Sequence, residues 1–260
     1  MNFQRFSLAG HVALLVPFCA LMIFIWMTPV LLAGFPFQFS EAVLLARHFD
    51  QRHVLEVITA PLTVLIFWAF HGIVGWQNMM GWPVVSAVAL ALSLVPLWWS
   101  VYRLFDRRIA WLSIVIFSFM PMYWMRAVAM DGYPLAFLFL FTGFALFIEF
   151  FKKKRGITIT LFGLCFGAAL ASNHAFATLL PWMMLAFFWN QRMQWRRAIG
   201  QVVLYLGLAY VTFTLPLLPN ALQEGLPLQK RIAVFLPAFN EHYTGVTHLY
   251  PDEYTWLKTS

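Results

Sequence analysis

Residues 83–108, PVVSAVALALSLVPLWWSVYRLFDRR, hold the pattern that decides the fold. Residues 83–102 carry no charged side chain, and a run of roughly 20 apolar residues is enough to cross a bilayer. Arg103, Arg107 and Arg108 follow at once in a short turn. Basic turns between apolar runs are typical of cytoplasmic loops that join membrane helices. The stretch therefore predicts a transmembrane helix that ends in a cytoplasmic turn.

The composition of the whole chain extends this prediction. Its 260 residues are 62% hydrophobic and 10% charged, with 28 Phe and 12 Trp, which is more apolar than a soluble domain needs. The net charge of +7 comes from short clusters between apolar runs, so it indicates a lipid bilayer as partner and no nucleic acid. Cys19 and Cys165 lie inside apolar segments and form neither a disulfide framework nor a metal-ligand spacing.

Extending the same reading along the chain predicts an all-α fold, a polytopic transmembrane helical bundle of about seven spans. The predicted spans are 11–33, 83–102, 109–127, 133–151, 157–173, 175–190 and 198–218. The first apolar run is too long for a signal-peptide core, so we interpret it as a retained anchor. The prediction is an integral multi-pass protein of a bacterial inner (plasma) membrane.

Three basic clusters give the expected orientation. They are Arg103 with Arg107 and Arg108; Lys152, Lys153, Lys154 and Arg155; and Arg192 with Arg196 and Arg197. Two predicted spans separate each cluster from the next, so all three are expected on the cytoplasmic side. Residues 1–218 then form the transmembrane domain, with a first outer loop at 34–82 that carries a juxtamembrane helix. Residues 219–260 form an extracytoplasmic loop or tail, which is truncated if the chain is a fragment of a longer protein.

The segment 57–76, VITAPLTVLIFWAFHGIVGW, is apolar enough to be an eighth span. Pro61, His71 and Gly72 interrupt it, which favours a helix that lies at the outer interface or re-enters the membrane. A crossing would move the N-terminus outside and leave the three basic clusters cytoplasmic. Both interpretations stay open on the sequence.

The residues suited to catalysis or ligand binding lie on the expected outer face. Asp131 follows Arg126 in RAVAMDGYP, and a carboxylate at the end of an apolar span is costly unless it faces a cavity or a partner. The two side chains are also explained by a structural ion pair. Glu41 follows Ser40, a plausible N-cap, so a helix-start charge is its alternative interpretation.

Other polar residues of the outer face have weaker patterns. Arg47 and His53 of the first outer loop can bind phosphate, and interfacial solvation explains them equally. His174, in SNHA, can contact a ligand or cap a helix. The tail stretch NEHYTGVTHLYPDEY at 240–254 is rich in metal-ligand types but has no recognised spacing, so an ordinary polar loop accounts for it.

The order of these features resembles the membrane glycosyltransferases of the GT-C class, in the branch of protein O-mannosyltransferases and lipid A aminoarabinose transferases. The resemblance is carried over 11–190 by an acidic outer-loop motif at Glu41, by Ala60-Pro61-Leu62, by RLFDRR at 103–108, by Pro121, Arg126 and Asp131, and by GLCFGAALASNHAFATLLP at 163–181. It implies transfer of a sugar from a polyprenyl-phosphate donor to an acceptor on the extracytoplasmic face.

Sugar transfer from a polyprenyl-phosphate donor, which the resemblance implies, gives each candidate residue a role. Glu41 would be the catalytic base, and Asp131 would orient it, hold Arg126 or bind a divalent metal. Arg126, and after it Arg47, His53 and His174, would bind the donor. No cofactor is otherwise expected.

Two departures from the family's pattern favour an alternative. The family has an Asp-Glu pair in the first outer loop where this chain has Ser40-Glu41, and serine is no carboxylate base. The family also continues through several more spans. The alternative is a non-catalytic GT-C-like scaffold or assembly subunit that works with a partner membrane subunit. A small transporter is disfavoured because paired broken half-helices are lacking.

Overall fold

The computed structural model describes residues 8–33, 62, 66, 81–128, 132–153, 156–190 and 195–218. Within these residues the chain is almost entirely helical and forms no strand, which confirms the predicted all-α class. The helices are α1 (Leu8–Ala33), α2 (Gly81–Leu104), α3 (Arg107–Phe119), α4 (Pro121–Ala127), α5 (Tyr133–Lys153), α6 (Gly156–Ser172), α7 (Leu180–Asn190) and α8 (Trp195–Thr214), with 3-10 segments at His174–Leu179 and Leu215–Leu217.

The apolar helices fit a membrane protein. Two of them, Pro83–Leu104 and Tyr133–Lys152, are long and apolar enough to cross a membrane. The consecutive helices α3 and α4 pass the same test as one unit, although a 67° bend separates them. Shorter apolar helices cover Ala13–Pro29, Gly156–Ser172, Phe176–Ala186 and Ala198–Thr214. Each predicted span overlaps one of these helices.

The turn at 103–108 ends in a helix N-cap, Asp106, which starts α3. Helix α2 ends at Leu104, and Asp106 takes an extended backbone conformation with φ −138° and ψ 175°. Its Oδ1 atom accepts hydrogen bonds from the backbone N–H of Arg108 at 2.7 Å and of Ile109 at 2.8 Å. These N–H groups have no partner inside a helix, so the aspartate starts α3.

Polar contacts show which helix ends lie together. Arg103 Nε, at the end of α2, lies 2.6 Å from Glu149 Oε1 in the last turns of α5, and Lys152 Nζ donates to the Arg103 carbonyl oxygen. His11, at the start of α1, contacts Arg107 at the start of α3. We call this end of the bundle, which holds these five residues, the basic end.

Helices α6 and α8 run side by side in the same direction. A Cβ added to Gly163 would lie 3.0 Å from Leu208 Cβ, and one added to Gly167 would lie 2.7 Å from Thr212 Cβ. Because α6 follows α5 directly, it begins at the basic end, and so does α8 with Arg196 in its first turn. The described members of the three basic clusters therefore share one end.

Two buried clusters fill the bundle. The first cluster lies among helices α1, α2, α3 and α4 and contains large side chains, among them Trp26, Leu90 and Trp98. The second joins α5 to α8 around Phe162, Phe166 and Tyr205. Phe162 and Tyr205 stack with ring centroids 4.7 Å apart and an interplanar angle of 5°. Helices α2 and α5, linked by the Arg103–Glu149 pair, connect the two halves.

The close approach of α6 and α8 yields a prediction. Gly167→Ala would place a methyl group against the Ala209 carbonyl oxygen and Thr212, so it should destabilise the protein by about 1–3 kcal/mol. Gly207→Ala, on α8, meets nothing within 4 Å and should be neutral or slightly stabilising. Thermal unfolding of the purified variants in detergent measures both. Equal stability of the two variants would contradict close packing at Gly167.

Candidate anion-binding site at the far end

A proline turns the chain at the end of the bundle opposite the basic end. Met120 has φ −63° and ψ 127°, the extended conformation favoured before proline, and Pro121 opens α4. Since Pro121 has no N–H, it cannot continue α3, and α4 leaves at 67°. The predicted continuous span 109–127 is thus a broken one. We call this end, with Arg126, Tyr133 and Phe176, the far end.

The break leaves carbonyl groups of α3 without their usual helical donors. The backbone N–H of Met120 turns back to the Phe117 carbonyl oxygen at 3.2 Å. The indole Nε1–H of Trp26, a buried side chain of α1, donates to the Ser118 carbonyl oxygen at 3.2 Å. In an apolar environment an unpaired carbonyl is costly, so this indole stabilises the bend from a neighbouring helix.

Helix α4 is fixed in place by Tyr123. Its hydroxyl donates to the Leu90 carbonyl oxygen of α2 at 3.1 Å and also contacts Ser93 Oγ. Its ring packs edge-on against Trp26, with centroids 6.0 Å apart, and against Phe117 at 5.7 Å. Tyr123 is buried, so both its polar and its apolar parts hold α4 against the bundle.

Arg126 lies in the last turn of α4 and is held by an aromatic ring. Its Cζ atom lies 4.1 Å from the ring centroid of Tyr133, at the start of α5. The Tyr133 ring in turn packs edge-on against Phe176, with centroids 6.1 Å apart, and Phe137 touches both rings. The aromatic contacts therefore connect Arg126 with the 3-10 segment that follows α6.

One predicted site residue, Arg126, is connected by the Tyr133 and Phe176 rings to the 3-10 segment His174–Leu179. The side chain of His174 itself lies outside the described part of the structure. The preceding Asn173 is buried, and its backbone N–H donates to the Ala169 carbonyl oxygen at 2.9 Å. The other predicted site residues, Glu41, Arg47, His53 and Asp131, lie outside the described residues.

Sequence reasoning missed the residues that position Arg126. Tyr133 and Phe176 belong to apolar spans, where an aromatic side chain is expected for packing alone. The sequence does contain one signal. Tyr133 starts α5 only a few residues after Arg126, and an arginine that close to an aromatic ring can form a cation–π pair. Glu149, an acid inside the predicted span 133–151, was also overlooked, although it pairs with Arg103.

The far end has the chemistry of an anion site. The Arg126 guanidinium carries a positive charge and five N–H donors, and it lies against the Tyr133 ring. A phosphate or carboxylate is the complementary ligand. Among the described residues, no group of three His, Cys, Asp or Glu side chains is arranged to hold a metal ion. Asp131 and the tail at 240–254 lie outside that set.

Comparison with protein-family models, curated proteins and solved structures gives no significant match to this chain.

The indole bond at the break yields a second prediction. Trp26→Phe keeps most of the buried ring but removes the donor to the Ser118 carbonyl, so it should destabilise the protein by about 1–3 kcal/mol. Trp182→Phe is the matched control, because that indole is 71% exposed and should be replaceable without loss. Thermal unfolding in detergent compares them. If both variants unfold with the wild type, the indole does not support the bend.

Proposed function

We propose that this chain is a membrane glycosyltransferase of the GT-C type, which transfers a sugar from a polyprenyl-phosphate donor to an acceptor on the extracytoplasmic face. The single observation that carries the proposal is the Arg126 guanidinium, seated on the Tyr133 ring at the end of the bundle opposite the basic clusters. A cation at that position suits the phosphate of a lipid-linked donor. The proposal includes seven crossings with the basic end in the cytoplasm, and a bacterial inner membrane as location.

The directions of the described helices support a shared outer site. Helix α1 begins at the basic end with His11, and α2 ends there with Arg103, so α1 ends and α2 begins at the far end. The far end therefore receives both ends of the segment that carries Glu41, Arg47 and His53. Arg126 and the turn at His174 lie at the same end.

The proposed reaction is an inverting displacement. The acceptor hydroxyl oxygen forms a bond to the anomeric carbon as the bond from that carbon to the phosphate oxygen breaks. The phosphate leaves with the electron pair, and Arg126 stabilises its charge. Glu41 takes the proton of the acceptor hydroxyl, and Asp131 orients Glu41 or holds Arg126.

One observation favours the second candidate, a non-catalytic scaffold or assembly subunit. Ser40 stands where the resemblance leads us to expect the first of two acids. A chain without a base would still use Arg126 and Tyr133 to fix α4 against α5. The scaffold would bind a partner membrane subunit and would transfer no sugar.

Donor binding tests the role of Arg126. Arg126→Ala should weaken binding of undecaprenyl phosphate about tenfold or more, since a charge-assisted contact is lost. Tyr133→Leu should weaken it several-fold by releasing the guanidinium, whereas Tyr133→Phe keeps a ring face and should bind as the wild type does. Native mass spectrometry of the full chain with added lipid measures the affinities.

Arg196→Ala provides the control for this test, because it removes the same charge at the basic end. Loss of binding in Arg196→Ala equal to that in Arg126→Ala would mean general attraction of an anionic lipid. Unchanged binding in folded Arg126→Ala protein would leave Arg126 with a structural function only.

Sugar transfer separates the two candidate functions. Glu41→Gln keeps the shape of the side chain and removes the base, so transfer from a polyprenyl-phosphate sugar should fall about a hundredfold or more. Ser40→Asp restores the family's acid pair and should raise transfer. The assay follows radiolabelled sugar from the lipid donor to acceptors in membranes that contain the full chain. Full transfer by Glu41→Gln would place the base elsewhere, and no transfer with any donor would favour the scaffold.

A further inference from the structure

An aromatic ring from the connection between α6 and α7 packs against Tyr133, the residue on which Arg126 lies. The ring of Phe176 meets that of Tyr133 edge-on, with centroids 6.1 Å apart and an interplanar angle of 74°. Phe176 also packs against Phe137, one helical turn further along α5, at 5.5 Å and 70°. Since the Tyr133 and Phe137 rings lie 6.3 Å apart, each of the three rings touches the other two.

The second half of the bundle fixes the position of Phe176. The backbone N–H of Phe176 donates to the Asn173 carbonyl oxygen at 3.4 Å, and that of Asn173 donates to the Ala169 carbonyl oxygen of α6 at 2.9 Å. Side chains three residues apart lie above one another in a 3-10 helix, which places Phe176 and Leu179 on the same side. Both pack against the buried cluster of the second half.

Arg126, in contrast, belongs to the first half. Its helix, α4, is held on α2 by the hydrogen bond from the Tyr123 hydroxyl to the Leu90 carbonyl oxygen. The Arg126 Cζ atom lies 4.1 Å from the Tyr133 ring centroid. Tyr133 therefore contacts a cation from the first half and a ring from the second.

The orientation of the Tyr133 ring matters for Arg126. An aromatic ring is negative on its face and positive at its edge, so it attracts a cation only over the face. A tyrosine ring can turn about its two side-chain torsion angles, and neighbouring rings restrict that rotation. Phe137 lies on the same helix as Tyr133, whereas Phe176 approaches from another part of the chain. Phe176 is thus placed to keep the ring face toward the guanidinium.

We propose that Phe176 is a positioning residue of the donor-phosphate site. It holds the Tyr133 ring in the orientation on which the Arg126 guanidinium lies. The 3-10 segment His174–Leu179 thereby sets the affinity of the site for the lipid phosphate. This inference rests on the proposed function, because it takes Arg126 as the group that binds the phosphate. Phe176 acts through Tyr133 and Arg126.

Donor binding by the full chain tests the proposal. Native mass spectrometry with added undecaprenyl phosphate should show binding to Phe176→Leu weakened about three- to tenfold, since the ring contact with Tyr133 is lost. Phe176→Tyr keeps the ring and should bind within about twofold of the wild type. Phe151→Leu is the matched control. It removes another half-buried ring, which packs on Phe147 at 4.3 Å near the basic end, and it should leave donor affinity unchanged.

A double-mutant cycle separates positioning from a general loss of stability. In protein that already carries Arg126→Ala, Phe176→Leu should weaken donor binding no further, because the group that it positions is gone. The same substitution should still lower the unfolding temperature, since its packing in the second half is lost in either background. Losses of affinity that simply add in the double variant would overturn the proposal.

The orientation of the ring can also be followed without any donor. With 3-fluorotyrosine placed at position 133, the fluorine NMR resonance of the full chain in detergent reports the surroundings of that ring. The resonance should shift or broaden in Phe176→Leu and return toward the wild-type position in Phe176→Tyr. Phe151→Leu should leave it unchanged. A wild-type resonance in folded Phe176→Leu protein would reject the positioning role.

The outcomes distinguish this inference from the proposed function. Wild-type donor binding by folded Arg126→Ala would reject the proposed function, and the positioning role would fall with it. Weak binding by Arg126→Ala together with wild-type binding by Phe176→Leu would reject the positioning role alone. Equal losses in Phe176→Leu and Phe151→Leu would mean a general effect of lost packing, which would also reject it.

Discussion

The structure depends on satisfying backbone carbonyl groups where the chain cannot remain helical inside an apolar bundle. Pro121 ends α3 because it lacks a backbone donor, and at the break the Trp26 indole donates to the Ser118 carbonyl oxygen from a neighbouring helix. The bend that results gives α4 its own direction, and the Tyr123 hydroxyl fixes that direction on α2. Arg126, in the last turn of α4, lies against the Tyr133 ring of α5. The bend at Pro121 thus sets the direction of the helix that carries this cation.

The two halves of the bundle pack in different ways. In the first half, large rings meet and their polar atoms bond to backbone carbonyls of neighbouring helices, as Trp26 and Tyr123 do. In the second half, Gly163 and Gly167 let the backbones of α6 and α8 approach closely, and Phe162 stacks on Tyr205 beside them. Small residues at such contacts are typical of helices that associate in membranes. The half that carries Arg126 is therefore held by directional bonds.

Helix positions were predictable from the sequence because apolar length and basic turns both depend on local composition. The turn at 103–108 shows this, since its arginines end α2 and Asp106 starts α3. The bend at Pro121 was not predicted, since apolar residues continue on both sides of it. The pairs Arg126–Tyr133 and Arg103–Glu149 join residues on different helices. Such pairs depend on how helices rotate about their axes, which apolar spans specify weakly because most faces are hydrophobic.

Arg103 and Arg126 lie against different kinds of group at opposite ends of the bundle. Arg103, on α2, lies beside the carboxylate of Glu149 on α5. Arg126, on α4, has its guanidinium against the Tyr133 ring at the start of α5, and a cation on an aromatic ring costs less than one left alone in apolar surroundings. Both contacts end on α5, so this helix meets an arginine from the first half of the bundle near each of its two ends.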